Sequence, residues 1–192
     1  AKRSYNSLTL RVPELVAQSR HGQSKAYCED ANTFLTLPSV QGDIVYIDPP
    51  YNSHSYLSNY HIWESLVRWD KPEVYGKACK RIDCRTRKSA YNSKKTHEQT
   101  FRDLISKINA PLIIVSFNNE GYLPRQTIES ILSAKGEVLT KAVSYKRYVG
   151  AQIGQHNPQG KKVGEVSHLR NLEFTFYVTS SDEIRAKIAS RL

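Results

Sequence analysis

The sequence predicts a three-layer α/β domain built on a mixed sheet, and three observations carry that prediction. Two continuously apolar segments, 43–48 and 111–117, have the composition of strands buried on both faces. A helical period follows at Thr96 to Ile108, where Phe101, Leu104, Ile105 and Ile108 share one face. Towards the C-terminus, Glu137 to Tyr148 and Leu172 to Val178 alternate as antiparallel partners do. Strand, helix, strand, helix and then an antiparallel pair suit one sheet with helices against its faces.

In chain order, Leu8 to Arg20 holds apolar residues and Pro13 without a sustained period, and is expected to be an irregular lead-in with a short helix. Lys25 to Glu29 is expected as a short strand ending at Asp30, with a short helix over Ala31 to Leu37. The strand Asp43-Ile44-Val45-Tyr46-Ile47-Asp48 stops at two prolines, which cannot continue a ladder. Tyr60 to Trp69 is expected to be helical, and 70–95 to be a basic loop insertion without apolar period. Pro124 suits the first position of a helix running to about Ser133. Gly150, Gly154, Pro158, Gly160 and Gly164 mark a long loop, either a lid or a plain connection, and Asp182 to Leu192 closes the chain as a helix.

A chain of 192 residues suffices for a single domain with one core, and no second core or repeat is visible. No apolar run approaches a membrane span and no secretory pattern opens the chain, so a cytoplasmic setting without membrane contact is expected. The three cysteines, Cys28, Cys79 and Cys84, do not make a disulfide framework. Cys79, Cys84 and His97 match no zinc spacing, so no metal is expected. A net charge of +10 suits a nucleic-acid partner but equally a generally basic protein.

The decisive residues are Asp48-Pro49-Pro50-Tyr51, at the end of the first buried strand. Ligands of open α/β sheets gather at the carboxyl ends of strands, which places Asp30, Asp48 and Ser116-Phe117-Asn118 on one rim. An exocyclic amino nitrogen on a base is a poor nucleophile, because its lone pair is delocalised into the ring. A carboxylate (Asp48) and a carbonyl oxygen (Pro49) that accept its two N–H groups draw it towards a pyramidal, reactive state. Paired prolines fix that carbonyl, and Tyr51 offers a face for stacking worth about 1–3 kcal/mol. In a duplex the amino group is hidden, so the base must first be extruded. The competing explanation is a capped strand-to-loop turn.

With these residues the chain resembles the Dam-type adenine-specific DNA methyltransferases, in particular the adenine methylases of restriction–modification systems. The resemblance runs through 43–52, Asn59-Tyr60-His61-Ile62-Trp63-Glu64, 69–76, Ser116-Phe117-Asn118-Asn119-Glu120-Gly121, Tyr145-Lys146-Arg147-Tyr148 and Ser167-His168-Leu169-Arg170-Asn171. It implies a Rossmann-like fold with a mixed sheet, S-adenosylmethionine (SAM) as donor and adenine N6 in double-stranded DNA as acceptor. It implies catalytic roles for Asp48, Pro49, Pro50 and Tyr51, and cofactor contact for Asp30 and Asp48. Ser116, Phe117 and Asn118 are then expected to wall the base pocket, and Lys146 and Arg147 to lie near DNA.

Lys80, Arg81, Arg85, Arg87 and Lys88 in the basic stretch are candidates for phosphate contact, or else a solvated charged loop. His54, His61 and Trp63 are expected to pack or to line the pocket. The family's aromatic-x-Gly-x-Gly loop, where the methionine part of SAM sits, has no counterpart among the nine glycines. With no methionine in the sequence, the chain is therefore expected to be the catalytic portion of a longer or split enzyme that lacks its N-terminal SAM-loop part. Two alternatives stay open: a non-catalytic DNA-binding subunit, and an acceptor other than adenine N6, either cytosine N4 or a protein amide. Asp at position 48 favours a DNA base.

Overall fold

The computed structural model describes residues 11–14, 22, 24–36, 42–146 and 169–192. The chain divides into two compact units, Ala1–Asp30 and Ala31–Leu192. In the first, the described residues are exposed and form no helix or strand. The strand expected at Lys25 to Glu29 is not formed: these residues take no strand conformation in a ladder. The lead-in helix within Leu8 to Arg20 and the glycine-rich connection around Gly150 to Gly164 lie outside the described residues.

The second unit carries a four-stranded sheet in the order β1-β4-β6-β5. The strands are β1 (Ile44–Ile47), β4 (Leu112–Asn118), β5 (Glu137–Lys146) and β6 (Arg170–Thr179), with a separate hairpin of β2 (Val74–Tyr75) and β3 (Lys80–Arg81). β1 and β4 run parallel from Ile44↔Leu112 to Ile47↔Val115, while β6 is antiparallel to both β4 and β5. The helices are α1 (Ala31–Phe34), α2 (Tyr56–Arg68), α3 (His97–Lys107), α4 (Arg125–Leu132) and α5 (Asp182–Ala189). The expected mixed α/β architecture is therefore present.

Alternation decides which side chains enter the core. Ile113, Val115 and Phe117 of β4 and Phe174, Phe176 and Val178 of β6 point to one face, where Phe101, Leu104 and Ile105 of α3 and Ile128, Ile131 and Leu132 of α4 bury them. Asn32 pins α1 to α3: its amide donates to the Thr100 carbonyl (2.9 Å) and to Asp103 (2.7 Å), and its carbonyl oxygen accepts from the Tyr91 hydroxyl (2.8 Å). α2 starts four residues before the expected Tyr60, because the Ser55 hydroxyl accepts from the Ser58 N–H and caps it.

The expected third layer is only partly there. On the opposite face α5 leans on β5 and β6, leaves a cavity of about 380 Å³ beside Leu112 and Tyr177, and buries none of its own residues. Ile44 and Tyr46, which alternation puts on that same face, stay 60% and 62% exposed. Two layers and a fragment of a third are thus formed by the described residues. No helix among them is long and apolar enough to cross a membrane.

Gly136 makes the turn from α4 into β5 at φ +152°, and a Cβ there would lie 2.5 Å from the Thr179 carbonyl group. Gly136→Ala therefore combines a backbone strain with a backbone clash. It is expected to lower unfolding free energy by about 1–3 kcal/mol or more, read from denaturant midpoints.

Candidate active site at the carboxyl ends of β1 and β4

Asp48 leaves β1 one residue past Ile47↔Val115, which sets it beside Ser116. On these strands Tyr46 and Asp48 share a face with Ser116 and Asn118 of β4 and, across the next ladder, with Glu173 of β6. Ser116 Oγ donates to Glu173 Oε1 at 3.2 Å. Desolvation and then the Glu173 carboxylate hold the Asp48 carboxyl above its ordinary value. Of the four motif residues Asp48 is exposed, Pro49 is buried, and Pro50 and Tyr51 are half-buried.

Tyr51 is wedged rather than free. Its ring lies 5.6 Å from that of Phe117 at 47°, and its carbonyl accepts from the Tyr122 N–H at 2.7 Å. Gly121 permits this approach: a Cβ there would be 3.1 Å from the Phe117 ring and 3.2 Å from Tyr51 Cβ. Burial, followed by neighbouring Tyr56, Tyr145, Asp48 and Glu173, pushes the Tyr51 hydroxyl up to about 12. The ring therefore stays a neutral surface at any working pH. Tyr56, at the start of α2, is also raised, by burial and then by Asp48, Tyr60 and Tyr46.

Hydrogen bonds fix the loops around this rim. Asn118 Oδ1 accepts from the Glu120 N–H (2.9 Å), and Asn119 exchanges bonds with the backbone of Leu172 (3.0 and 2.9 Å). Asn92 Nδ2 donates to the carbonyls of Asn52 (2.8 Å) and His54 (3.1 Å), tying the segment after the motif to a 3₁₀ turn. Behind Phe117 lies His97, fully buried and edge-on to Tyr91, Phe117 and Tyr122. Its Nδ1 donates to the Tyr91 carbonyl at 2.6 Å, a tautomer set by that acceptor, and its Nε2 has no partner.

The structure sorts the expected residues. Asp48, Pro49, Pro50, Tyr51, Ser116, Phe117 and Asn118 come together, with Phe117 as a buried brace behind Tyr51 rather than an exposed wall. Asp30 ends the first unit as an exposed residue. The basic stretch is an ordered hairpin with two 3₁₀ turns rather than an irregular loop. Arg81, expected on phosphates, is only 3% exposed: it clamps both Asp70 oxygens at 2.7 Å and reaches Asp83 at 3.2 Å. Its guanidinium holds both carboxyls below the usual range and is itself pushed up by them, so it fastens the hairpin instead.

Arg85 lies over the Tyr75 ring at 4.1 Å, and the exposed Arg87 shares Glu64 and Asp83 at 3.4 and 3.7 Å. Lys88 and Lys146 are exposed and Lys80 is half-buried, while Arg147 lies outside the described residues. Cys84 Sγ donates to the Leu57 carbonyl at 3.8 Å, and His61 is buried on α2. Glu173 and Asn92 are not singled out by the sequence, His97 enters it only as a rejected zinc ligand, and Gly121 only as the end of a resembling run. A lone acid in the apolar alternation of β6 was the available signal for the first.

A carboxylate and a proline carbonyl at a strand's end are two hydrogen-bond acceptors, and the braced Tyr51 ring beside them is a surface on which a flat ring can stack. The profile of the D12 class N6 adenine-specific DNA methyltransferases matches residues 9–120, and the chain belongs to that family. The chain is 38% identical over 180 residues to the type II methyltransferase M.FokI of Planomicrobium okeanokoites, covering 92% of this chain and 25% of that protein. It is 38% identical over 158 residues to modification methylase StsI of Streptococcus sanguinis (81% and 23%) and 31% identical over 152 residues to M.NlaIII of Neisseria lactamica (79% and 43%). It thus spans about a quarter of the length of the first two relatives. No solved structure matches it.

Burial holds the His97 proton affinity below that of a free histidine, against the weaker opposing pull of the Tyr91 carbonyl. The unfolded chain therefore takes up a proton as pH falls through about 6.5, while the folded chain refuses it until a lower pH. Stability is full above that pH and declines below it. In His97→Gln this part of the acid decline is expected to vanish, measured as unfolding free energy at a series of pH values between about 7 and 5.

Proposed function

We propose that the enzyme containing this chain transfers a methyl group from SAM to N6 of adenine in double-stranded DNA, as the modification enzyme of a restriction–modification system. The observation that carries this reading is the Asp48-Pro49-Pro50-Tyr51 segment at the carboxyl end of β1, with Tyr51 braced on Phe117. The family supplies the reaction class, and the names of the relatives supply the modification setting.

The extruded adenine stacks against Tyr51, and its amino group donates one N–H to Asp48 and the other to the Pro49 carbonyl. Both acceptors act on the same nitrogen and free its lone pair. Glu173, one strand away and bonded to Ser116, adds negative potential where positive charge develops on that nitrogen. Lys80, Arg85, Arg87, Lys88, Lys146 and Arg147 are the phosphate contacts in this reading; Arg81 is left out because its guanidinium is committed to Asp70 and Asp83.

When bound, SAM supplies an electrophilic methyl group. The described residues fit one wall of its site only. Asp48 and Tyr46 lie on an open sheet margin, and no glycine-lined cradle is formed among the described residues. Asp30 is a cofactor contact in this reading on the family resemblance alone. The exposed side of Ile44 and Tyr46, together with Ile62, Leu66 and Trp69 on α2, suits a covering segment that carries the rest of the cofactor site. Such an enzyme works in the cytoplasm beside its DNA.

Asp48→Ala, made in the enzyme that contains this sequence, is expected to lower single-turnover methyl transfer by roughly 10²–10⁴-fold, as for loss of a positioned acid–base group. DNA affinity, measured by fluorescence anisotropy, is expected to stay unchanged. Retained transfer in Asp48→Ala would sink the reading.

A further inference from the structure

Beside the motif lies a cavity of about 410 Å³ that the acceptor chemistry does not use. Two chain segments line it: Pro50 and Tyr56 from the stretch after β1, and Arg87, Lys88, Ser89 and Asn92 from the stretch after the hairpin. The two segments are held in register by the Asn92 bonds to Asn52 and His54, and the cationic one by the Arg81–Asp83 pair at the root of the 3₁₀ turn. The cavity therefore keeps a fixed relation to the loop that follows Tyr51.

Two features give it a chemical character. Tyr56, in the cavity wall, stacks with Tyr60, the rings 6.2 Å apart and 16° from parallel, yet they are 50% and 55% exposed. An exposed parallel pair has an open π-face on which another flat ring can continue the stack. On the other segment Lys88 is exposed, and no carboxylate among the described residues pairs with it. Its neighbour Arg87 pairs with Glu64 at 3.4 Å and Asp83 at 3.7 Å and stays 55% exposed. A flat apolar surface and a free cation lining a cavity of this size match a nucleotide, with its base on the tyrosines and its phosphate on Lys88.

We propose that this cavity is a nucleotide site, taking the nucleotide adjacent to the extruded adenine on the same strand. The proposal rests on the reading of the enzyme as a DNA methyltransferase and adds where the strand is gripped. Stacking the neighbour on Tyr56 replaces the contact that it loses when the adenine leaves the duplex. The extruded state is then stabilised without any sequence-specific hydrogen bond.

The test uses the enzyme that contains this chain and two single-stranded probes of equal phosphate number, one of mixed sequence and one fully abasic. Dissociation constants are measured across a salt series. The intact strand is expected to bind roughly 5- to 150-fold more tightly than the abasic one. Tyr56→Ala should remove most of that preference, whereas Tyr56→Trp should keep it. Lys88→Gln should leave the preference in place and make the salt slope shallower by about 0.7.

Wild-type preference and slope in Tyr56→Ala and Lys88→Gln would overturn the proposal. So would a Tyr56→Ala enzyme that grips DNA normally but no longer assembles, because a polypeptide would then cover the stack. A wild-type enzyme that shows the Tyr56-dependent preference but methylates no base would refute the methyltransferase reading and leave the nucleotide site standing.

Discussion

The parallel pairing of β1 with β4 is the constraint on which the site depends. Only four residues of β1 take part, from Ile44↔Leu112 to Ile47↔Val115, yet they decide where Asp48 and Tyr51 emerge. A slip of one residue would move Val45 and Ile47 off the core and turn Asp48 towards it. Val45 and Ile47 pack against the core of α3, α4 and β4, so burial on one face locks the register that the chemistry on the other face needs. The Pro49-Pro50 pair then ends the ladder, and the Phe117 ring and the Tyr122 N–H receive Tyr51.

A second layer of constraint lies behind the rim. Phe117 touches Tyr51 in front and Phe101 and His97 behind, so the Tyr51 ring is coupled to the centre of the core. The hairpin after α2 is held differently, by a buried arginine between two aspartates. Removing either aspartate leaves the Arg81 guanidinium with only one of its two carboxylate partners. That arrangement fixes the start of the 3₁₀ turn Ile82–Arg85, which Arg87 and Lys88 follow in the chain.

The legible parts of the sequence were those with local periodicity or a local motif. β1 and β4 follow from continuous apolar runs, β5 and β6 from alternation, α3 from a helical face, α4 from Pro124 at its start, and Asp48 to Tyr51 from four adjacent residues. The hairpin was not legible, because strands of two residues have no period and Arg81 looks in sequence like any other cation of a basic run. Only its contact with Asp70, eleven residues away, separates it from the exposed Arg85 and Arg87. Glu173 and His97 act at the site through partners distant in sequence or through a packed aromatic cluster. At Lys25 to Glu29 the composition of a strand was present but no ladder was.

Ile44 and Tyr46 leave one face of the sheet half covered. On the proposed reading, the described residues supply the acceptor contacts at Asp48, Pro49 and Tyr51 and one wall of the donor site. The acceptor atom is the centre of the account. Its most direct test is mass spectrometry of nucleosides from DNA treated with the enzyme that contains this chain and isotopically labelled SAM. Label in N6-methyldeoxyadenosine is the result the account predicts; label in N4-methyldeoxycytidine, or in protein alone, would contradict it.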